Sequence, residues 1–170
     1  MKEQQYLFIY EEYDTDDELT GEDVLLLNNA RRVTANAYAP YSNFLVGAAA
    51  RLVNNEIVTG CNQENASFPV SICAERVLLS TAASLYPNVA ITAMAISYNN
   101  LNGENGHPVS PCGVCRQSLQ EYEGRANRPL KIIMAGFSGK IIIISSASML
   151  LPLSFTATAF AKHTTHKKVE

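Results

Sequence analysis

The sequence predicts an α/β fold, a three-layer α/β/α sandwich around a five-stranded mixed sheet. Apolar segments with the helical period alternate along the chain with short apolar segments bounded by turn residues. Two of the short segments are separated only by Asn54-Asn55, which is typical of an antiparallel hairpin. The chain has 170 residues, 47% of them hydrophobic, which is enough for one domain with a core.

The first half of the chain predicts one helix and two strands. The pattern Thr20-Gly-Glu-Asp23 is typical of a capping box, and the helix after it should run to about Tyr38. Residues 39–43 contain a proline and end it. Strands are predicted over residues 44–53 and 56–61. The apolar face of the helix is marked by four residues: Leu26, Ala30, Val33 and Ala37.

The second half predicts two helices and three strands, which complete the set of five strands. The loop over residues 99–109 contains two glycines and a proline and should be exposed. Ser146 could cap one further short helix, which Pro152 would end. In chain order the elements are a helix over 73–86, a buried strand over 90–98, a short helix over 111–122, and strands over 130–135 and 141–144.

Charge divides the chain into three parts. Nine of the 16 acidic residues but only one of the 13 basic residues lie in residues 1–23. Residues 1–20 are therefore interpreted as a solvated acidic arm, 21–160 as a single domain, and 161–170 as a basic, disordered tail. After residue 23 the chain has 7 acids against 12 bases, a formal charge of +5. This surplus permits a nucleic-acid partner without recommending one.

The sequence predicts a cytoplasmic protein without a membrane span. The first 14 residues contain only a short apolar run, so no signal peptide is predicted. Residues 141–161 carry no charge, but Ser, Thr and the central Pro152 favour a strand and a helix in a core over a bilayer span. The four cysteines should then be reduced, which favours metal binding or catalysis over disulfides.

Two cysteine stretches begin in the same way. If Ser71 is an N-cap, Cys73 is the second residue of its helix, and if Ser110 is an N-cap, Cys112 is again second. Cys115 lies one turn further, on the same face as Cys112. Thiolates at helix N-termini are stabilised by the helix dipole. Two such helix ends facing each other would present three thiolates to one cation.

Zinc suits this ligand set, so the sequence predicts one Zn²⁺ per subunit held by Cys73, Cys112 and Cys115. Three protein ligands leave one position for water, as in catalytic zinc sites. Glu75 lies on the same helical turn as Cys73 and could transfer protons there, which a structural zinc site does not require. The alternative is that Glu75 is only a first-turn acid favoured by the helix dipole. The downstream pattern P-C-x-x-C favours the catalytic interpretation.

The pattern C-A-E followed by P-C-x-x-C matches the zinc-deaminase signature with cysteine at its first position. More specifically, the chain resembles cytidine deaminases of the short-chain, three-cysteine, homotetrameric type. The matching blocks occur in the family's order over residues 37–155: AYAPYSNFLVGAA from Ala37, GCNQENASFP from Gly60, CAER from Cys73, PCGVCRQ from Pro111 and LLPLSF from Leu150.

The resemblance implies hydrolysis of cytidine, and of deoxycytidine, to the uridine form and ammonia, as in pyrimidine salvage. Hydroxide formed at zinc would attack C4, while Glu75 would move protons to N3 and to the leaving amine. The resemblance also implies that the Ala74 N–H faces the base carbonyl, that the Ser110 carbonyl lies near the amine, and that Phe44 stacks on the ring. Asn62 and Glu64 would bind the ribose 3′-hydroxyl.

The resemblance further implies contacts around the metal and between subunits. Arg76 would donate hydrogen bonds to the ligand sulfurs. Phe68, where the family often has tyrosine, lies in a loop expected to reach a neighbouring subunit's site, and any contact of a phenol hydroxyl is absent here. Phe155 is a second aromatic of this kind, so four chains would share their sites in a homotetramer.

Other interpretations stay open at this point. Phe44 and Phe68 could be core residues, and Asn62 and Glu64 could belong to a surface turn. Cys61 is interpreted as a buried strand residue. His107 could close the site as a fourth ligand, but its loop favours solvent exposure.

Three rival functions also remain. A polynucleotide cytosine deaminase is disfavoured because no basic stretch with interleaved aromatics lies beside the site. A deaminase that inactivates an aminonucleoside antibiotic shares the zinc blocks, but the intact CNQEN and CAER blocks favour the ordinary nucleoside. A zinc-stabilised binding module without activity is the rival from another class.

Overall fold

The computed structural model describes residues 1–160, and the predicted basic tail lies outside that range. Six strands and three α-helices occur in the described part of the chain. The strands are β1 (Glu11–Tyr13), β2 (Phe44–Leu52), β3 (Ile57–Cys61), β4 (Ile91–Asn100), β5 (Lys131–Ala135) and β6 (Ile141–Ile144). The helices are α1 (Gly21–Val33), α2 (Ala74–Leu85) and α3 (Gly113–Ala126).

The strands form one mixed sheet in the order β1-β6-β5-β4-β2-β3. Only the neighbours β4 and β5 are parallel, and every other neighbouring pair is antiparallel. The predicted mixed sheet is confirmed, but the predicted number of five strands is wrong. The additional strand, β1, lies in the acidic arm that was predicted to be solvated. Its residues pair with β6, and the Glu12 carboxylate forms an ion pair with the Lys140 ammonium.

Helices cover both faces of the sheet, which confirms the three-layer arrangement. Side chains alternate between the two faces along a strand, so Ile132 packs toward α2 and α3 whereas Ile133 packs toward α1. Leu78 of α2 and Leu119 of α3 belong to the first core, and Leu26 of α1 belongs to the second.

The topology explains why α2 and α3 begin close together. Strands β3 and β4 are both antiparallel to β2, which lies between them, so they run in the same direction. Helix α2 follows β3 and helix α3 follows β4, so both helices begin at the same edge of the sheet. Phe44, the first residue of β2, lies at that edge as well, since it pairs with Asn100 at the end of β4.

The charge-free segment before residue 160 forms β6 and short 3₁₀ turns. In residues 1–160, none of the helices combines the length and apolarity needed to cross a bilayer. Ser146 does hold the N-cap position of the turn at Ala147–Leu150, as predicted, but its hydroxyl does not cap it. The Glu123 carboxylate caps the turn in place of the Ser146 hydroxyl. It accepts hydrogen bonds from the Ala147 N–H (2.8 Å) and from the Ser146 hydroxyl itself (2.6 Å).

Candidate metal centre and active site

Three cysteine side chains meet where α2 and α3 begin. The Sγ atoms of Cys73, Cys112 and Cys115 all lie within 4.8 Å of one another, and those of Cys73 and Cys112 are 3.9 Å apart. Across residues 1–160, no other group of three or more His, Cys, Asp or Glu side chains is spaced to hold a metal ion. Cys61 and His107 are not part of this cluster, as the sequence predicted.

The ligands hold different helix positions from those predicted. Cys73 and Cys112 are themselves the N-caps of α2 and α3, with extended backbones (ψ 153° and 168°), so Ser71 and Ser110 are not N-caps. The Ser71 hydroxyl instead accepts from the Asn65 N–H (3.0 Å) and closes the loop before α2. A thiolate at an N-cap faces backbone N–H groups that have no acceptor within the helix, which stabilises its negative charge.

The cysteine cluster fits zinc. A tetrahedral site with Zn–S bonds of ~2.3 Å requires sulfurs about 3.8 Å apart, and Cys73 and Cys112 nearly meet this spacing. The third sulfur, from buried Cys115, needs to move by less than about 1 Å to meet it. Thiolate-rich ligand sets favour zinc over magnesium or calcium, which prefer oxygen.

Neighbouring groups favour a thiolate at Cys73. A hydrogen bond from the Cys115 thiol lowers the pKa of Cys73 to about 6, and the positive charge of Arg76 acts in the same direction. The same hydrogen bond raises the pKa of the Cys115 thiol, and burial raises it further. Arg76 was predicted to donate hydrogen bonds to the sulfurs, but in residues 1–160 we find none, and it acts on Cys73 through its charge alone.

Glu75 lies on the first turn of α2 and is only 4% exposed. Burial raises the pKa of its carboxyl group, although its own backbone N–H and the Cys115 thiol partly oppose this shift. A carboxyl group with a raised pKa beside a metal site is suited to accept and return a proton near neutral pH.

A cavity of about 270 Å³ opens over Glu75 and the cysteines. This volume is close to the lower limit of about 300 Å³ for sites that bind small molecules. Cys73 and Cys112 line it, whereas the buried Cys115 does not. Six other predicted site residues also line it: Phe44, Asn62, Glu64, Ala74, Glu75 and Ser110.

Asn62 and Glu64 are held in place by backbone groups. The Asn62 side chain donates to the Phe44 carbonyl (2.9 Å) and accepts from the Val46 N–H (2.8 Å), which fixes it against β2. The Glu64 carboxylate accepts a hydrogen bond from the Tyr41 N–H (2.9 Å). Its pKa is lowered chiefly by a hydrogen bond with the Ser42 side chain, and also by the backbone N–H groups of Tyr41 and Ser42. An ionised carboxylate and an immobilised amide therefore stand at the cavity wall.

Phe68 and Phe155 do not line the cavity formed by this chain. Their side chains are 67% and 61% exposed, respectively. The Phe68 ring packs edge-on against Tyr41, and the Phe155 ring packs against Phe160. The interpretation of Phe68 as a core residue is therefore wrong, and its role at a neighbouring subunit stays a prediction.

Two residues near the site were not predicted. Tyr98 of β4 lines the cavity, and its ring stacks on Phe44 with centroids 4.8 Å apart. Arg116 follows Cys115 and donates to the Pro111 carbonyl (2.8 Å) and to the Leu150 carbonyl (3.1 Å), so it secures the approach to Cys112. Arg116 could have been predicted from the sequence, because it directly follows the ligand Cys115. Tyr98 could not, because nothing in the sequence distinguishes it from any other residue of a buried strand.

Comparison with known proteins gives a consistent result. The family model described as "Cytidine and deoxycytidylate deaminase zinc-binding region" matches residues 21–127. The cytidine deaminase of Halalkalibacterium halodurans is 34% identical over 133 residues, which cover 78% of this chain and 93% of that protein. The cytidine deaminase of Mycobacterium tuberculosis H37Rv is 39% identical over 100 residues, 59% of this chain and 71% of that protein.

Solved structures agree with the sequence comparison. The crystal structure of cytidine deaminase from Burkholderia pseudomallei superposes with a TM-score of 0.68 at 34% identity. The superposition covers 81% of this chain and 100% of that structure. The cytidine deaminase of Mycobacterium leprae gives a TM-score of 0.62 at 34% identity, covering 78% of this chain and 98% of that one.

Proposed function

This chain belongs to the cytidine and deoxycytidylate deaminase family, and we propose that it deaminates cytidine, and also deoxycytidine, by zinc-dependent hydrolysis. Water and the nucleoside give uridine or deoxyuridine and ammonia. The observation that carries the proposal is the buried carboxyl group of Glu75 beside three clustered thiols, in a cavity large enough for a small ligand. A purely structural zinc site needs neither the cavity nor the carboxylate.

The residues of the cavity have defined parts in the proposed reaction. Cys73, Cys112 and Cys115 hold zinc, which when bound lowers the pKa of water and so supplies a nucleophile at neutral pH. Glu75 takes the proton released by the attacking water and transfers it to N3 of the base. It then takes the proton of the new C4 hydroxyl group and delivers it to the amine, which leaves as ammonia while C4 becomes a carbonyl. Because Ala74 is the first residue of α2, its N–H has no acceptor within the helix and is free to bind the base carbonyl.

The cavity wall favours a free nucleoside over a polynucleotide. The lowered pKa of Glu64 keeps this carboxylate ionised, so it would accept a hydrogen bond from a ribose hydroxyl and repel a phosphodiester. Asn62 uses one of its two amide hydrogens on the Phe44 carbonyl and retains the other for a sugar hydroxyl. Phe44 supplies an aromatic face for the base.

The proposal is tested by deamination rates over a panel of substrates. We expect kcat/KM for cytidine and deoxycytidine to exceed that for free cytosine by about 100-fold or more, because cytosine leaves the sugar-binding groups unpaired. An aminonucleoside antibiotic, deoxycytidine monophosphate and a single-stranded oligonucleotide complete the panel. Ammonia release from the oligonucleotide alone, or from the antibiotic alone, would replace the proposal with the corresponding rival.

We extend the proposal to a cytoplasmic homotetramer that shares its sites and serves pyrimidine salvage. The family resemblance supports this assembly, and so do the exposed rings of Phe68 and Phe155. Leaving large aromatic rings in water forgoes about 1.5–3 kcal/mol each, which burial against a neighbouring chain would recover.

Phe155→Ala is expected to raise KM for cytidine about tenfold while zinc content and oligomer mass stay unchanged, since the lost aromatic contact lies at a neighbour's site. Phe137→Ala, a change at another partly exposed phenylalanine, is the matched control and should leave KM unchanged. Steady-state kinetics and light scattering measure the two effects. Wild-type KM in an intact Phe155→Ala tetramer would contradict the shared site.

A further inference from the structure

Tyr98 lines the cavity beside Phe44. It is 2% exposed, and its ring is nearly parallel to that of Phe44, with an angle of 13° between the planes. Tyr98 pairs with Val46 across β2 and β4, so Tyr98 and Phe44 are diagonal neighbours on one face of the sheet. One face of the Phe44 ring is therefore supported by Tyr98.

The hydroxyl of Tyr98 holds the loop that leads to the metal ligand. It donates to the carbonyl of His107 at 2.9 Å, and the imidazole of His107 lies edge-on to the Tyr98 ring. In the described part of the chain, this is the one hydrogen bond made to residues 106–109. The earlier part of the loop has its own anchor, because Asn105 accepts from the Asn100 N–H at 2.6 Å.

The segment held by Tyr98 runs directly into Ser110 and Cys112. Cys112 is exposed, so packing around its side chain does little to fix its thiol. On its C-terminal side the thiol is fixed by α3, and on its N-terminal side two hydrogen bonds restrain the chain. One is donated by Arg116 to Pro111, and the other by Tyr98 to His107.

We propose that Tyr98 is a positioning residue that joins the aromatic wall of the site to the loop carrying Cys112. Its ring supports Phe44, and its hydroxyl limits the movement of Cys112 and so slows the loss of zinc. The ring half of this proposal rests on the proposed function, whereas the hydroxyl half concerns only metal retention. Neither half requires Tyr98 to touch the reacting atoms.

Two substitutions at Tyr98 test the hydroxyl half and the ring half of the proposal separately. Tyr98→Phe keeps the ring and removes the hydroxyl, so zinc transfer to a chromophoric chelator should become about fivefold faster, the worth of one hydrogen bond. Its KM for cytidine should stay within about twofold of the wild type, because an intact ring still supports Phe44. Tyr98→Leu removes both groups, so zinc loss should accelerate to the same extent and KM should rise about fivefold.

Tyr122→Phe is the matched control, because Tyr122 is a buried tyrosine of α3 that does not line this cavity. Its zinc release and KM should match the wild type. A wild-type rate of zinc release in Tyr98→Phe would overturn the hydroxyl half, and an unchanged KM in Tyr98→Leu would overturn the ring half. If the wild-type protein deaminates no cytosine nucleoside, the proposed function is wrong, and so is the ring half of the proposal, which rests on it. The zinc rates, measured without substrate, judge the hydroxyl half independently.

Discussion

Glu75→Gln is expected to lower kcat for cytidine by about 10²–10⁴-fold while each chain keeps one zinc ion. Glutamine has nearly the same shape but cannot accept a proton, so the proposed transfers from water to N3 and to the amine lose their carrier. The three thiols are untouched, so metal content should not change. Elemental analysis measures the zinc content, and the change in ultraviolet absorbance as cytidine is converted to uridine measures kcat.

The stability of this variant provides a second readout. Burial of Glu75 raises the pKa of its carboxyl group, so its ionised form opposes folding, and a neutral amide should not lower the melting temperature. Glu121→Gln, a change at an exposed carboxylate of α3, is the control and should retain full activity. Wild-type turnover by zinc-loaded Glu75→Gln would show that another group moves the protons.

The residues that form the site could be predicted from the sequence, because zinc binding and proton transfer need particular residue types. Cys73, Cys112, Cys115 and Glu75 could be recognised from their spacing and their positions before apolar helices. That the cysteines would be N-caps could not be predicted in the same way. Ser71 and Ser110 are better N-cap residues by propensity, but the backbone reaches helical geometry only after each cysteine.

Contacts between distant parts of the chain were the least predictable feature. Tyr98 meets Phe44 because β2 and β4 pair in one register, and no local pattern encodes that register. Strand β1 was missed for a similar reason. Two glutamates among its three residues favour a solvated arm, and only pairing with β6 makes them part of the sheet. At β1, local propensity gave way to tertiary pairing.

Cys112→Ala is expected to abolish zinc binding and to lower the melting temperature by far more than the loss of its own packing. The Cys112 side chain is exposed, and substitutions at such positions ordinarily change stability by no more than about 0.5 kcal/mol. Bound zinc, in contrast, contributes its binding free energy to folding, which reaches about 10–16 kcal/mol in small zinc domains. A large decrease in melting temperature must therefore come from the metal.

A chelator distinguishes this explanation from simple damage to the fold. Wild-type protein stripped of zinc should melt at nearly the same temperature as Cys112→Ala, because both changes remove the same metal-binding free energy. Added zinc should restore the stripped wild type but not the variant. Cys61→Ala, at the one cysteine outside the cluster, should keep its zinc and respond to the chelator like the wild type. If Cys112→Ala still held one zinc per chain, or stayed far less stable than the stripped wild type, Cys112 would serve the fold rather than the metal. The three-thiol site would then have to be abandoned.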